Sequence, residues 1–259
     1  LAILENNSQL VVVNCSKSNL LTLLDSTNSN FRQLFGGSVI SRSESASELL
    51  EMMKGVAAKG FIRTLRAGDT GVGYTLETLL GIAANSSKAP DYKGIEIKSG
   101  RQKSQRSGRT TVFSQVPNWK ISRLKSSKDI LFARGRYHNE KQRWQLFHEF
   151  SALKPNSYGM KLSLDFNGSL LHQICFENDQ EIKDVCWEFH VLKRRLAEKH
   201  RETFWVTADT KGKSGDLDEE FFYSNIKHTS NADISVFPTL IETGVVTLDY
   251  TIKETKTGA

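Results

Sequence analysis

Residues 94–99 read Gly-Ile-Glu-Ile-Lys-Ser, and the strict alternation of isoleucine with charge limits what this stretch can become. In a strand, successive side chains point to opposite faces, so Ile95 and Ile97 enter a core while Glu96 and Lys98 share the other face. The chain must therefore build a half-buried strand that carries a carboxylate and an ammonium side by side. Pro90-Asp91 precedes it, and a turn at Gly94 can bring Asp91 back beside Glu96. Two carboxylates with converging oxygens suit Mg²⁺, which prefers hard oxygen ligands. Lys98, on the same face, can help deprotonate an attacking water, and metal and lysine together can stabilise charge on a phosphate. An edge strand with solvated charges shows the same alternation, so D-x4-E-x-K is weighed with its surroundings.

Upstream, "AGDTGVGYTLETLLG" (67–81) nearly matches the phosphate-binding pattern G-x-x-x-x-G-K-[ST]. Gly68, Gly73 and Thr75 fit, but Tyr74 stands where the lysine should reach the β- and γ-phosphates. Tyrosine cannot supply that charge, so a nucleotide cradle is rejected. The glycines still allow close backbone approach, and amides at a helix start still favour an anion. A helix is expected from about Gly73 to Ala84, with Leu76, Leu79 and Leu80 on one face and Glu77 beside them near the buried side.

Downstream, the window from Lys98 to Lys128 holds nine basic residues and no acid. Lys and Arg total 35 against 29 Asp and Glu, giving +6, so much of the excess is concentrated in one segment. Such a run repels itself unless it meets a polyanion, which points to nucleic acid. Three cysteines, Cys15, Cys175 and Cys186, lie too far apart for a zinc motif and are odd in number, as expected of reduced thiols in a cytoplasmic protein. No apolar run reaches the roughly 18 residues a membrane span needs, and no secretory segment opens the chain.

Strands are expected at "QLVVVNCS" (9–16), "YKGIEIKS" (92–99), "TTVFSQV" (110–116), "KDILFARG" (128–135), "RWQLFHEFSA" (143–152), "KLSLDF" (161–166), "SLLHQICF" (169–176) and "ETFWVTAD" (202–209), with a last one at "VVTLDYTIKE". Helices are expected at 18–26, at 45–60 with Ser45 and Glu48 forming a capping box, and at 184–200, where Val185, Phe189, Leu192 and Leu196 make an apolar stripe. Residues 210–220 are read as a polar loop. The order lacks a βαβ rhythm and favours an α/β fold with a mixed central sheet flanked by helices.

The combination "GDTGVGYTLETLLGI…APDYKGIEIKSGR" resembles the MutH-like branch of the PD-(D/E)XK nucleases, and more closely the MvaI/BcnI group of restriction endonucleases. The match is dense from Thr64 to Arg101, weaker over 184–259, and absent from residues 1–55. The resemblance implies a restriction-endonuclease-like core with a DNA-recognition lobe, cutting double-stranded DNA within a short sequence. It divides the chain into an N-terminal α/β extension (1–60), a catalytic core (61–208) and a recognition region (209–259). By matching position, Asp91, Glu96 and the carbonyl of Ile97 would hold Mg²⁺, Lys98 would activate water, and Glu77 would stand near the metal. Thr70 and Gly71 of the glycine loop would meet DNA, as would Arg101, Lys103, Arg106 and Arg109. In the family a basic loop near the C-terminus leads to a His-containing segment. Here the sequence reads "IKETKTGA", so Lys253 and Lys256 are assigned to that loop and the recognition region is expected to be incomplete. His228 is read as a surface histidine. The family also implies a monomer, a companion DNA methyltransferase and no membrane. The alternatives are a MutH-like nicking repair endonuclease, an idle DNA-binding module, and the effector part of a larger defence protein.

Overall fold

A computed structural model of the chain describes residues 2–6, 9–14, 43–83, 89–102, 110–178 and 180–255, with Lys17, Asn19, Thr22 and Leu23 in addition. Cys15, most of the helix expected at 18–26, and Lys103, Arg106, Arg109 and Lys256 lie outside these residues.

The chain divides into residues 1–55 and 56–259. In the first unit, β1 (Ala2–Asn6) pairs antiparallel with β2 (Gln9–Val13). Helix α1 (Glu44–Ala57) starts there and buries Ala46, Leu49 and Met53 at helical spacing. Its cap is Ser43, whose Oγ accepts the Ala46 N–H at 3.0 Å, rather than Ser45. The serines alternate with other residues through this stretch, so the local pattern offered two starts two residues apart.

The second unit holds a mixed four-stranded sheet. β4 (Glu96–Arg101) forms one edge and runs parallel to β10 (Glu202–Lys211). β10 runs antiparallel to β11 (Glu220–Ser230), and β11 antiparallel to the short β3 (Ile62–Arg63). Phe204, Val206 and Ala208 alternate inward along β10, and Phe221 and Tyr223 along β11. β11 is absent from the sequence reading, because beyond Tyr223 it turns polar and only its pairing with β10 holds it extended. Helix α2 (Gly71–Leu79) lies on β4 and buries Val72, Thr75 and Leu76.

The remaining elements build the large core. β5 (Arg136–His138), β6 (Arg143–Phe150) and β12 (Leu248–Lys253) form one antiparallel sheet, and β7 (Met160–Asp165), β8 (Leu170–Glu177) and β9 (Gln180–Glu188) another. Helices α3 (Ser127–Arg134), α4 (Phe189–Lys199) and α5 (Phe237–Glu242) contribute Ile130, Leu131, Leu192, Leu196 and Ile241 to the same apolar cluster as Leu146, Phe150, Leu162 and Trp187.

Three expectations are corrected here. Residues 128–134 are helical, because Ser126 caps α3 by accepting the Asp129 N–H at 3.1 Å while Asp129 accepts the Lys125 N–H at 2.9 Å. Residues 184–188 are strand, not helix. Asp184, Val185, Cys186 and Trp187 are all buried, and a continuous buried run fits either structure until a neighbour decides, here β8. Residues 110–116 form no strand.

The buried Asp184 explains part of the basic segment. It accepts from Arg134 Nε at 2.6 Å, from Gln173 Nε2 at 3.0 Å and from Arg123. Burial pushes its pKa up, but these bonds outweigh that and hold the carboxyl below the usual range.

Candidate active site

The turn before β4 sets the site. The Tyr92 N–H donates to Ile95 O at 2.9 Å and the Ile95 N–H to Tyr92 O at 2.7 Å, closing a two-residue turn in which Lys93 (φ 45°) and Gly94 (φ 86°) both take the left-handed conformation. That geometry matches the mirror-image turns of tight hairpins and wants glycine at the second position. It folds Asp91 back along the strand, where its Oδ2 accepts the Ile97 N–H at 2.8 Å. A strand residue's N–H and C=O point to the same edge, so the Ile97 carbonyl lies on the free edge of β4 that Asp91 faces.

Glu96 and Lys98 share a face, as the alternation requires: Lys98 Nζ is 2.8 Å from Glu96 Oε1. Glu96 is 1% exposed. Its Oε2 lies 2.6 Å from Nζ of Lys199, at the end of α4, in an ion pair without hydrogen-bond geometry. Glu77 completes the cluster from α2. Gly73 lets α2 approach β4, since a Cβ there would stand 3.3 Å from Ser99 Oγ and 3.7 Å from Glu77 Oε1. Burial raises the Glu77 pKa, and the charges of Asp91 and Glu96 raise it further. Burial likewise raises that of Asp91, with Glu96 adding to the rise and the Ile97 N–H opposing it. Three carboxylates thus lie near Lys98 and Lys199, with Arg66 also acting on Glu77.

The donor set is all oxygen and fits a hard divalent ion. Glu96 Oε2 is a buried acceptor without a hydrogen bond, and Asp91 is fixed through one oxygen. Among the described residues no three His, Cys, Asp or Glu side chains already converge as a cage. Mg²⁺ does not require one, because it keeps several waters and binds through one or two carboxylates plus substrate phosphate.

The glycine loop sits beside this cluster. Gly71 is buried, and a Cβ there would come within 2.4 Å of Arg66 O and 2.9 Å of Thr64 Oγ1, so no other residue lets the loop close onto α2. Thr70 is exposed at the head of α2 and makes no side-chain cap bond. Tyr74, in place of the nucleotide-binding lysine, lies under the Arg66 guanidinium at 3.7 Å.

Arg101 does not point away from the protein. It donates to both oxygens of Glu219, at 2.6 and 2.7 Å, and to the carbonyls of Asp69 and Gly68 at 3.0 and 3.1 Å. Glu219 also accepts the Gly215 N–H at 2.8 Å. This side chain ties the end of β4 to the glycine loop. With Arg123 on Asp184 and Lys98 on Glu96, three cations of the basic run are neutralised by acids elsewhere in the fold. Lys253 is exposed at the end of β12, opposite Gln145. His228 is half-buried, bonded to Glu202 at 3.0 Å and stacked on Phe204. Sequence reasoning missed Lys199 and Glu219, which lie 103 and 118 residues from their partners in the site (Lys199 to Glu96, Glu219 to Arg101) and belong to no local motif.

Comparison with known proteins adds the family. The model of the MvaI/BcnI restriction endonuclease family matches residues 50–259. A solved structure described as a complex of restriction endonuclease MvaI with cognate DNA substrate has 24% identity and a TM-score of 0.73, covering 84% of this chain and 88% of that one. The structure described as MvaI in the absence of DNA has 23% identity and a TM-score of 0.46, with 84% and 87% covered. No curated protein matches the chain. The fold is that of the first of these structures, and on a family match over four-fifths of its length the chain belongs to the MvaI/BcnI restriction endonucleases, which are DNA endonucleases.

Proposed function

We propose that this chain is a Mg²⁺-dependent endonuclease of the restriction type that hydrolyses phosphodiester bonds of double-stranded DNA within a short recognition sequence. The observation that carries the proposal is the approach of Asp91, at the edge of β4, to Glu96 and Lys98 on one of its faces, with Glu77 brought beside them by α2. Bound between Asp91, Glu96 and the Ile97 carbonyl, the metal would supply Lewis acidity and charge for the phosphate.

The protein groups do the rest. Asp91 is held in place by the Ile97 N–H, so its second oxygen is available to a ligand. Lys98 orients the attacking water and meets the negative charge that grows on the non-bridging phosphate oxygens. As the water oxygen bonds to phosphorus and gives up a proton to solvent, the bridging P–O bond breaks and the leaving alkoxide takes up a proton in turn. Glu77, whose raised pKa reflects its burial and its two carboxylate neighbours, can hold a proton or a water near that point. Lys103, Arg106, Arg109 and Lys256 remain DNA-facing candidates by sequence, and among the described residues the exposed Thr70 and Lys253 join them, whereas Gly71 is buried and Arg101 is engaged by Glu219. No helix of the described residues is long and apolar enough to cross a membrane. A companion methyltransferase would protect the host's own sites.

The test is digestion of unmethylated phage and plasmid DNA with Mg²⁺ and with EDTA, beside Lys98→Ala. Discrete fragments that need Mg²⁺ and vanish in the variant are expected. Accumulation of nicked rather than linear plasmid would replace this reading by the MutH-like one, and binding without cleavage by an idle module.

A further inference from the structure

The acidic centre contains a cation that neither the alternating strand nor the glycine motif announces. Lys199 Nζ lies 2.6 Å from Glu96 Oε2 and donates to Ala89 O at 3.2 Å, so it bridges the carboxylate and the loop that carries Asp91. Its side chain is 12% exposed, less than the 22% of Lys98.

Its position follows from the fold. β10 pairs with β4 in the register Thr203↔Glu96, and α4 ends four residues before Thr203. The C-terminus of α4 is therefore delivered over Glu96 by the same pairing that builds the sheet. The next residue, His200, is locked: its ring is buried, stacks on Trp205, and bonds Thr203 Oγ1 at 3.0 Å and Val112 O at 2.9 Å. Lys199 is thus a short arm on a fixed base. A cation is also favoured where the last carbonyls of a helix gather negative charge.

We propose that Lys199 is a positioning residue of the catalytic centre. Its ammonium fixes the Glu96 carboxylate and shares its charge, and so sets both the affinity for the divalent ion and the rate of cleavage. Both oxygens of Glu96 are engaged by lysines, and of the two, Lys98 is the more exposed, while Lys199 is also tethered to Ala89 O. Lys98 is accordingly the one that leaves Glu96 to act on water, while Lys199 stays. The role rests on the Mg²⁺-nuclease reading above, but cation binding without DNA tests it separately.

The test compares wild type with Lys199→Gln, which keeps a donor for Ala89 O and removes the charge, and with Lys199→Arg, which keeps the charge. Calorimetric titration with Ca²⁺ and Mg²⁺ in the absence of DNA gives the affinity, and single-turnover cleavage gives the rate. Without the competing ammonium, Lys199→Gln should bind the cation about tenfold more tightly yet cleave at least about tenfold more slowly, because Glu96 is no longer held. Lys199→Arg should stay within about threefold of wild-type affinity. Should Lys199→Gln fail to fold, Lys199→Met is titrated in its place. A variant with lowered Tm but unchanged cation affinity and rate would make Lys199 a structural strap only and overturn the proposal. So would Lys199→Arg binding as tightly as Lys199→Gln. If wild type binds the cation but cuts no DNA, the nuclease reading fails, while the affinity comparison still decides whether Lys199 sets the charge of the site.

Discussion

Arg101→Ala separates two readings of the basic residue that ends β4. As a phosphate contact, Arg101 would matter to DNA affinity and little to folding. In the structure its guanidinium makes four hydrogen bonds, two to a carboxylate that is 1% exposed. Removing the partner of a buried ion pair costs about 3–5 kcal/mol, because the other charge stays buried. Among the described residues, Glu219 would keep the Gly215 N–H as its one remaining side-chain partner. At roughly 2–4 °C per kcal/mol for a domain of this size, the melting midpoint should fall by roughly 6–20 °C. Thermal and urea unfolding followed by tryptophan fluorescence read this directly. Arg101 also holds Glu219 below its ordinary value of 4.5 through its hydrogen bonds, with burial opposing. A depressed acid stabilises the fold above its ordinary value, and that gain is lost as pH falls through the folded value. The stability gap between wild type and variant should therefore narrow on acidification. A variant that melts within about 2 °C of wild type while binding DNA weakly would refute the reasoning and restore the phosphate contact.

Three other outcomes follow from the same geometry. Lys98→Ala should lower single-turnover cleavage by about 10²–10⁴-fold, the usual reach of one group acting on water or proton, with DNA affinity little changed in a filter-binding assay. Glu77→Gln should raise the Tm of the protein in EDTA at pH 8. A raised carboxyl pKa means the charged form is disfavoured by folding, so the gain is largest above the raised value and shrinks as pH is lowered through it. Gly71→Ala should cost at least about 1–3 kcal/mol in urea unfolding, since its Cβ would press on a backbone carbonyl at 2.4 Å, and cleavage should fall with it.

The readable part of the site is the part built by neighbours in sequence. Asp91, Glu96 and Lys98 lie within one turn and one strand, so period-two alternation and a Gly94 turn place them without knowledge of the rest of the chain. Glu77 required one further step, the packing of α2 on β4, and the glycine spacing hinted at it. Lys199 and Glu219 arrive through the parallel pairing of β4 with β10 and its continuation to β11, a contact between segments more than a hundred residues apart. No local pattern encodes that register. The same distance explains the misread elements: the buried run 184–187 and the polar second half of β11 are extended because β8 and β10 pair with them.

The basic segment shows how a charge argument changes once a fold supplies partners. Nine cations without an acid look like a surface waiting for a polyanion only while the chain is considered locally. Folding brings Glu96 to Lys98, Glu219 to Arg101 and Asp184 to Arg123, and each of these acids is buried. A buried carboxylate needs a cation, so these basic residues are a condition of the core as much as of any ligand. The cluster at β4 stands apart: Glu77, Asp91 and Glu96 meet Lys98, Lys199 and, at Glu77, Arg66, and burial first, then the neighbouring carboxylates, raise the pKa values of Glu77 and Asp91. Where charges pair off, the fold has used them for its own stability. The proposed divalent ion would sit where Asp91 and Glu96 come together at the outer strand β4.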